Sequence, residues 1–301
     1  MKNLITKDLV LTVKNKYNVN IPHSINLTLH ALEDEFVKAL SGILYNNKGN
    51  QLIVLGEKEI ISPLQKVVNE TRIPIISFDD VFSKEIVSPN LFYLSTSRQI
   101  DDYDNRVFSV TTSCGMPNIN QQLQRIYDSL GAGNNKQVAL YDLGIFSGGS
   151  LARVISSIIA AGFDPRIVYT SIIRQIGLQR IAEEFNEIEL RLICLNEYCK
   201  GGWDELRDII GIHGFKVNPQ VVEFFPEQQT NNTFLPYTEI IDWFSLPYNP
   251  LDTRRLIELC EQYRQELVKI ININLGLELK IVGKFQNRNV YSILNKSKEN
   301  F

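Results

Sequence analysis

The sequence predicts an α/β protein: a doubly wound parallel sheet followed by a C-terminal α+β appendage. Three observations carry this reading. Short apolar runs alternate with segments of helical period over residues 51–196, the rhythm of strand and crossover helix. A buried-strand pattern at Val138, Ala139, Leu140 and Tyr141 runs through an acid and four small residues into a helix over 151–162. After Tyr198 the alternation stops and a different pattern begins.

The elements follow in order. Residues 1–48 form a small N-terminal element around an amphipathic helix over 28–45, with Leu29, Leu32, Phe36, Leu40 and Ile43 on one face. QLIVLG at 51–56 reads as a strand, 57–71 as a helix, and IPIISF at 73–78 as the next strand, its start fixed by Pro74. Strands are expected at 91–94 and 106–110, and a helix at 119–130. Ser95 to Asp104, with Arg98 its one cation and Asp101, Asp102 and Asp104 its acids, reads as a loop. Strands at 166–173 and 189–195 flank a helix at 177–185. Ligands of such sheets sit beyond the carboxyl ends of the strands, where Gly56 and Asp142 fall. Beyond 198, a short helix is expected at 203–210, with Trp203, Arg207 and His213 near it. An exposed polar loop follows at 226–236, then a helix over 253–273 capped by Asp252. A hairpin of 277–285 and 289–294 turns at Gln286-Asn287-Arg288. The expected domains are therefore 1–198 and 199–301.

Composition narrows the function classes. With 44% hydrophobic and 22% charged residues, the 301-residue chain is globular rather than disordered. A net charge of −3 gives no broad drive toward nucleic acid, and the mildly basic Lys280, Lys284, Arg288 and Lys296 read as solvated surface. No apolar run reaches membrane-spanning length and the N-terminus lacks a signal-like apolar core, so a cytoplasmic protein with no membrane partner is expected. Cys114, Cys194, Cys199 and Cys260 are few and unevenly spaced, which suits reduced thiols better than a zinc site.

The chemistry concentrates in QVALYDLGIFSGGSL, residues 137–151. Ser147, Gly148, Gly149 and Ser150 occupy a strand-to-helix junction, where unpaired first-turn N–H groups face outward and glycine lets an anion approach the main chain. Asp142, carried to the same crevice, can accept bonds from paired sugar hydroxyls. Phosphate and diol together indicate a ribose phosphate. Gly144 and Gly149 have the separation of a Walker A loop, but Ser150 stands at its lysine position. No G-x-G-x-x-G follows a strand.

On these residues the chain resembles the type I phosphoribosyltransferases, whose signature is a hydrophobic strand, two acids, a spacer and Thr/Ser-Gly-Gly-Thr/Ser. Asp142 matches the first acid and 147–150 the phosphate loop, while Leu143 stands at the second acid and Phe146 where several purine-using members carry an acid. The resemblance implies a phosphoribosyltransferase-like fold and binding of phosphoribosyl pyrophosphate or a nucleotide. It also implies Mg2+ with the leaving pyrophosphate, a pyrophosphate loop at Gly56 and Lys58, a hood in the N-terminal element and a mobile catalytic loop at 95–104. No metal ligand set is assigned. No catalytic base is assigned either, because His23, His30 and His213 are isolated. Three readings stay open: a transferase, a non-catalytic nucleotide sensor, and an interaction or assembly protein on the same scaffold, the last two allowing a protein partner or a second copy.

Overall fold

A computed structural model describes residues 2–44, 51–100, 108–111, 116–131, 136–194, 199, 202–207, 216–217, 233–234, 252–277 and 280–281. The strands are β1 Lys2–Thr6, β2 Gln51–Leu55, β3 Ile75–Ser77, β4 Leu91–Tyr93, β5 Ser97–Ile100, β6 Phe108–Thr111, β7 Gln137–Ile145, β8 Asp164–Ile173, β9 Glu189–Leu192, β10 Trp203–Glu205, β11 Lys216–Val217, β12 Thr233–Phe234 and β13 Lys280–Ile281. The helices are α1 Leu9–Tyr17, α2 His23–Leu44, α3 Glu57–Glu70, α4 Ile119–Ser129, α5 Gly149–Ala160, α6 Gln175–Glu184 and α7 Thr253–Leu275. They fall into two units, one made mainly of residues 57–199 and one of residues 1–56 with 200–301.

The unit of residues 57–199 is a parallel five-stranded sheet in the order β4-β3-β7-β8-β9. Strand alternation sends neighbouring side chains to opposite faces. Ile76, Val138, Leu140 and Val168 join a core with Leu123 and Ile126 of α4, Leu151, Ile155 and Ile158 of α5, and Ile181 of α6. Ile75, Ala139, Tyr141 and Tyr169 join another with Leu64 and Val68 of α3. Helices thus cover both faces, the doubly wound arrangement of a Rossmann-like α/β fold. From β3 the chain moves outward to β4 and returns to β7 on the other side of β3, so the strand order reverses between β3 and β7. Such a reversal opens a crevice at the carboxyl ends.

The other unit has its own parallel sheet, β10-β1-β2. Leu256, Cys260, Tyr263, Leu267 and Ile271 of α7 pack with Leu29, Phe36 and Leu40 of α2 and Leu9 and Val13 of α1. Phe36 and Tyr263 stack with centroids 4.3 Å apart. Glu33, only 1% exposed, caps α1 by accepting from the Leu9 N–H at 3.0 Å.

Several expectations change. Residues 51–56 do form a strand, but β2 pairs with β1 and does not extend the sheet that holds β7. The N-terminal segment accordingly groups with residues from 200 onward, whereas the sequence placed it in a domain of 1–198. The helix expected at 203–210 begins as strand β10: parallel pairing with β1 and a Trp203 Nε1–H bond to Thr6 Oγ1 at 2.9 Å outweigh local helical preference. Lys280–Ile281 pairs in parallel with Thr233–Phe234; the expected hairpin's turn and second strand, with Lys284, Arg288 and Lys296, lie outside the described residues. Asp252 does precede α7, yet it makes no cap bond and instead accepts from Arg255 Nη1 at 3.0 Å.

Candidate functional site

The crevice at the β3–β7 reversal begins where their pairing ends. Ser77 is level with Tyr141, and the Phe78 N–H still reaches the Tyr141 carbonyl at 2.9 Å. β7 then continues, paired with β8 alone among the described strands, from Asp142 opposite Thr170 to Ile145 opposite Ile173. Asp142 is therefore the first β7 residue past β3, and half-buried. Leu143 is 2% exposed. The position where the resemblance places a second acid is packed into the protein.

The junction that follows is tight. Gly148 holds φ at +76°, the left-handed region that glycine enters without a Cβ penalty, and α5 starts at Gly149. No side chain caps α5, so its first-turn N–H groups, which have no partners within the helix, keep their capacity for an acceptor. Ser147 is half-buried and Ser150 exposed.

Helix α6 lies against this junction. A Cβ on Gly177 would stand 2.7 Å from the Phe146 carbonyl oxygen and 2.8 Å from Ile145 Cγ2, so only glycine permits the approach. The Arg180 side chain runs over the two loop glycines: its Cβ and Cδ lie 3.4 Å from where a Gly148 Cβ would be, and its Nη1 3.0 Å from that of Gly149. Arg180 Nε donates to Glu184 Oε1 at 2.7 Å. Arg153, on the exposed side of α5, has its guanidinium held below the ordinary value by partial burial and then by the charge of Arg180. Arg174, at the start of α6, stacks its guanidinium 4.3 Å from the Phe146 ring centroid. Three cations thus border a helix end that is already electropositive. None of the three was marked in the sequence, where Arg153 and Arg180 read as ordinary helix-surface arginines and Arg174 falls between a strand and a helix; Gly177, a lone glycine in a helical pattern, was the available signal.

Neighbouring carboxyl-end groups are committed to structure. Asp79 accepts from the N–H groups of Val81, Phe82 and Ser83 at 3.1, 2.9 and 2.9 Å. The Tyr141 hydroxyl sits 2.9 Å from Ser171 Oγ; burial first, then the Asp79 charge, pushes the phenol well up, keeping it neutral. Burial also pushes the Cys194 thiol up to about 11.

The other sequence-derived residues stand apart from this loop in their roles. Gly56 follows β2, and Lys58 is exposed in the first turn of α3 between Glu57 and Glu59. Ser97–Ile100 pairs with Phe108–Thr111 as antiparallel strands, while residues 101–107 and the Arg98 side chain lie outside what is described. Arg207 Nε binds Asp8 Oδ2 at 3.1 Å, and His30 Nδ1 lies 3.0 Å from Glu33 Oε2; His213 is outside the described residues. Among the described residues no three His, Cys, Asp or Glu side chains gather as a metal site. Asp142 has Leu143 rather than an acid beside it, so at this loop the described residues offer one carboxylate. No helix among the described residues is long and apolar enough to cross a membrane. No family model matches the chain, and no curated protein matches it.

Proposed function

We propose that this protein binds a ligand containing ribose 5-phosphate, either phosphoribosyl pyrophosphate or a nucleotide, at the carboxyl end of β7. The phosphate sits on residues 147–150 and the first turn of α5, and Asp142 accepts bonds from the ribose hydroxyls. The observation that carries this reading is the uncapped start of α5 bordered by Arg180, where protein cations add to the helix dipole instead of offsetting it. Asp142 lies five residues before Ser147 on the strand that feeds the loop, which suits a phosphate and a sugar of one ligand.

The buried Leu143 favours binding with weak or no transferase activity, hence a nucleotide sensor on a phosphoribosyltransferase-like scaffold. Transfer of a phosphoribosyl group requires charge stabilisation around a cationic ribose and a leaving pyrophosphate. One carboxylate at the ribose and no placed base give little of that. Magnesium enters this reading only as the counterion that a pyrophosphate ligand brings.

Calorimetric titration of phosphoribosyl pyrophosphate, AMP, UMP and ribose 5-phosphate, with and without magnesium, tests the proposal. Tight nucleotide binding without turnover supports the sensor; magnesium-dependent pyrophosphate binding with product formation supports a transferase. Gly149→Val should abolish the binding by placing a branched side chain beside the anion's path, with little loss of stability because its nearest neighbour, Arg180 Nη1, ends a flexible side chain. Binding left intact in that variant would sink the phosphate assignment, and no binding by the parent would move the function to the protein surface.

A further inference from the structure

We infer that Cys194 and Cys199 form a reversible intrachain disulfide, a thiol modification site at the carboxyl end of β8. The inference is independent of the ribose-phosphate reading.

Both cysteines are fastened to the same strand edge. β9 ends with Leu192 level with Thr170, and the Ile193 N–H donates to the Thr170 carbonyl at 2.9 Å. Continued by one residue, that register sets Cys194 level with Ile172. The chain is back on β8 at Cys199, whose N–H donates to the Ile173 carbonyl at 2.9 Å and which pairs in parallel with Arg174. Ile172 and Arg174 are two strand positions apart, about 6.6 Å at a rise of about 3.3 Å per residue. A disulfide joins Cα atoms about 4.4–6.8 Å apart. The ladder therefore brings the two cysteines within bridging reach.

Their side chains also share a face. The Cys194 thiol hydrogen-bonds with the Ser171 side chain, and Ser171 Oγ meets the hydroxyl of Tyr141 in the core that α3 covers. Ile173 points the other way, into the core of Ile145 and Ile181. Alternation returns Arg174 to the Ser171 face, and parallel pairing places Cys199 there with it.

Exposure orders the chemistry: Cys194 is half-buried and Cys199 is 6% exposed, so Cys194 meets the oxidant and Cys199 resolves the product. The oxidant is a small-molecule disulfide such as glutathione disulfide. The Cys194 thiolate attacks one of its sulfurs, forming a mixed disulfide and expelling one glutathione thiolate; the Cys199 thiolate then attacks the Cys194 sulfur and expels the second. Two protein thiols lose two electrons and two protons, and glutathione disulfide is reduced to two thiols. Burial pushes the Cys194 thiol up to about 11, so its thiolate is scarce at neutral pH and the site answers sustained rather than brief oxidation.

The experiment incubates the full chain with glutathione disulfide at about pH 8.5, the ordinary thiol pKa, then alkylates remaining thiols in denaturant and digests with trypsin. Cleavage after Arg191 and Lys200 releases both cysteines in one peptide, LICLNEYCK. The disulfide is read by mass spectrometry as that peptide unalkylated and lighter by two hydrogens. It should dominate the oxidised parent, revert with dithiothreitol, and leave the far-UV circular dichroism spectrum unchanged. Cys199→Ser should stop at glutathione on Cys194, which separates the first exchange from the second. Glutathione retained on Cys194 in the parent overturns the inference, as does a bridge from either cysteine to any other. No oxidation of the folded chain also overturns it, and so does a disulfide that appears only with loss of the folded spectrum.

Discussion

Replacing Gly177 with alanine probes the contact that holds α6 against the phosphate loop. An added Cβ would meet the Phe146 carbonyl oxygen at 2.7 Å, Ile145 Cγ2 at 2.8 Å and the Ile145 carbonyl oxygen at 3.1 Å. Ordinary contact begins near 3.4 Å, so α6 or the end of β7 must move by about 0.7 Å. Neither is free to do so. The Ile145 carbonyl accepts from the Arg174 N–H at 3.0 Å, and Ile145 is 1% exposed. Overpacking of this kind costs about 1–3 kcal/mol, and the better helix propensity of alanine returns close to 1 kcal/mol. The net expectation is a loss of up to about 2 kcal/mol, a fall of up to about 6 °C in melting temperature for a unit of this size. Urea unfolding monitored by far-UV circular dichroism gives the stability change, and ribose 5-phosphate affinity should fall as the loop shifts. A Gly177→Ala protein about 1 kcal/mol more stable than the parent, the gain that helix propensity alone supplies, would falsify the close-approach account and leave Gly177 an ordinary helix residue.

Other outcomes follow from the same geometry. Asp142→Asn should weaken ribose 5-phosphate binding by about 1.5–3 kcal/mol for each charged hydrogen bond lost, and equal affinity of the parent for ribose and 2-deoxyribose 5-phosphates would remove a 2′-hydroxyl contact from its role. Leu143→Asp, which makes the acidic pair complete in sequence, should destabilise by about 3–5 kcal/mol, because it buries an unpaired carboxylate; a stable variant that gains magnesium binding would contradict the packed position. Folded Cys194 and Cys260 keep their protons to about 11 and about 12 because burial disfavours the thiolates, whereas unfolded thiols ionise near 8.5. Their contribution is thus complete below the unfolded value and is lost as pH rises through the folded ones, with a slope of up to about 1.4 kcal/mol per pH unit per thiol. Unfolding free energies at pH 8 and pH 10 in the parent and in Cys194→Ala should show the smaller drop in the variant; identical drops would show that Cys194 does not contribute.

The candidate loop was legible because its properties are local. A buried run of four apolar residues, an acid and then Ser-Gly-Gly-Ser specify a strand, a turn and a helix start within fifteen residues, and β7, the left-handed Gly148 and the uncapped α5 follow that order. Helix α2 was equally readable, since Leu29, Phe36, Leu40 and Ile43 recur at helical spacing and all are buried. Periodicity reports which face of an element is covered, but not by what. QLIVL has the pattern of a strand beside β3, and only the long-range pairing of β1 with β2 and β10 removes it to another sheet. Trp203–Glu205 carries no strand signal strong enough to oppose a helix; β1, nearly two hundred residues earlier, supplies the backbone partners that decide it. Arg180 and Gly177 gain their meaning in the same way, from the packing of α6 on the β7–α5 junction. The strand, the glycines and the acid of the site are readable locally, because hydrogen bonding and sterics over a few residues fix them. Which strands share a sheet, that Leu143 faces inward, and which arginines stand at the α5 start depend on contacts between distant segments, and no local pattern encodes those.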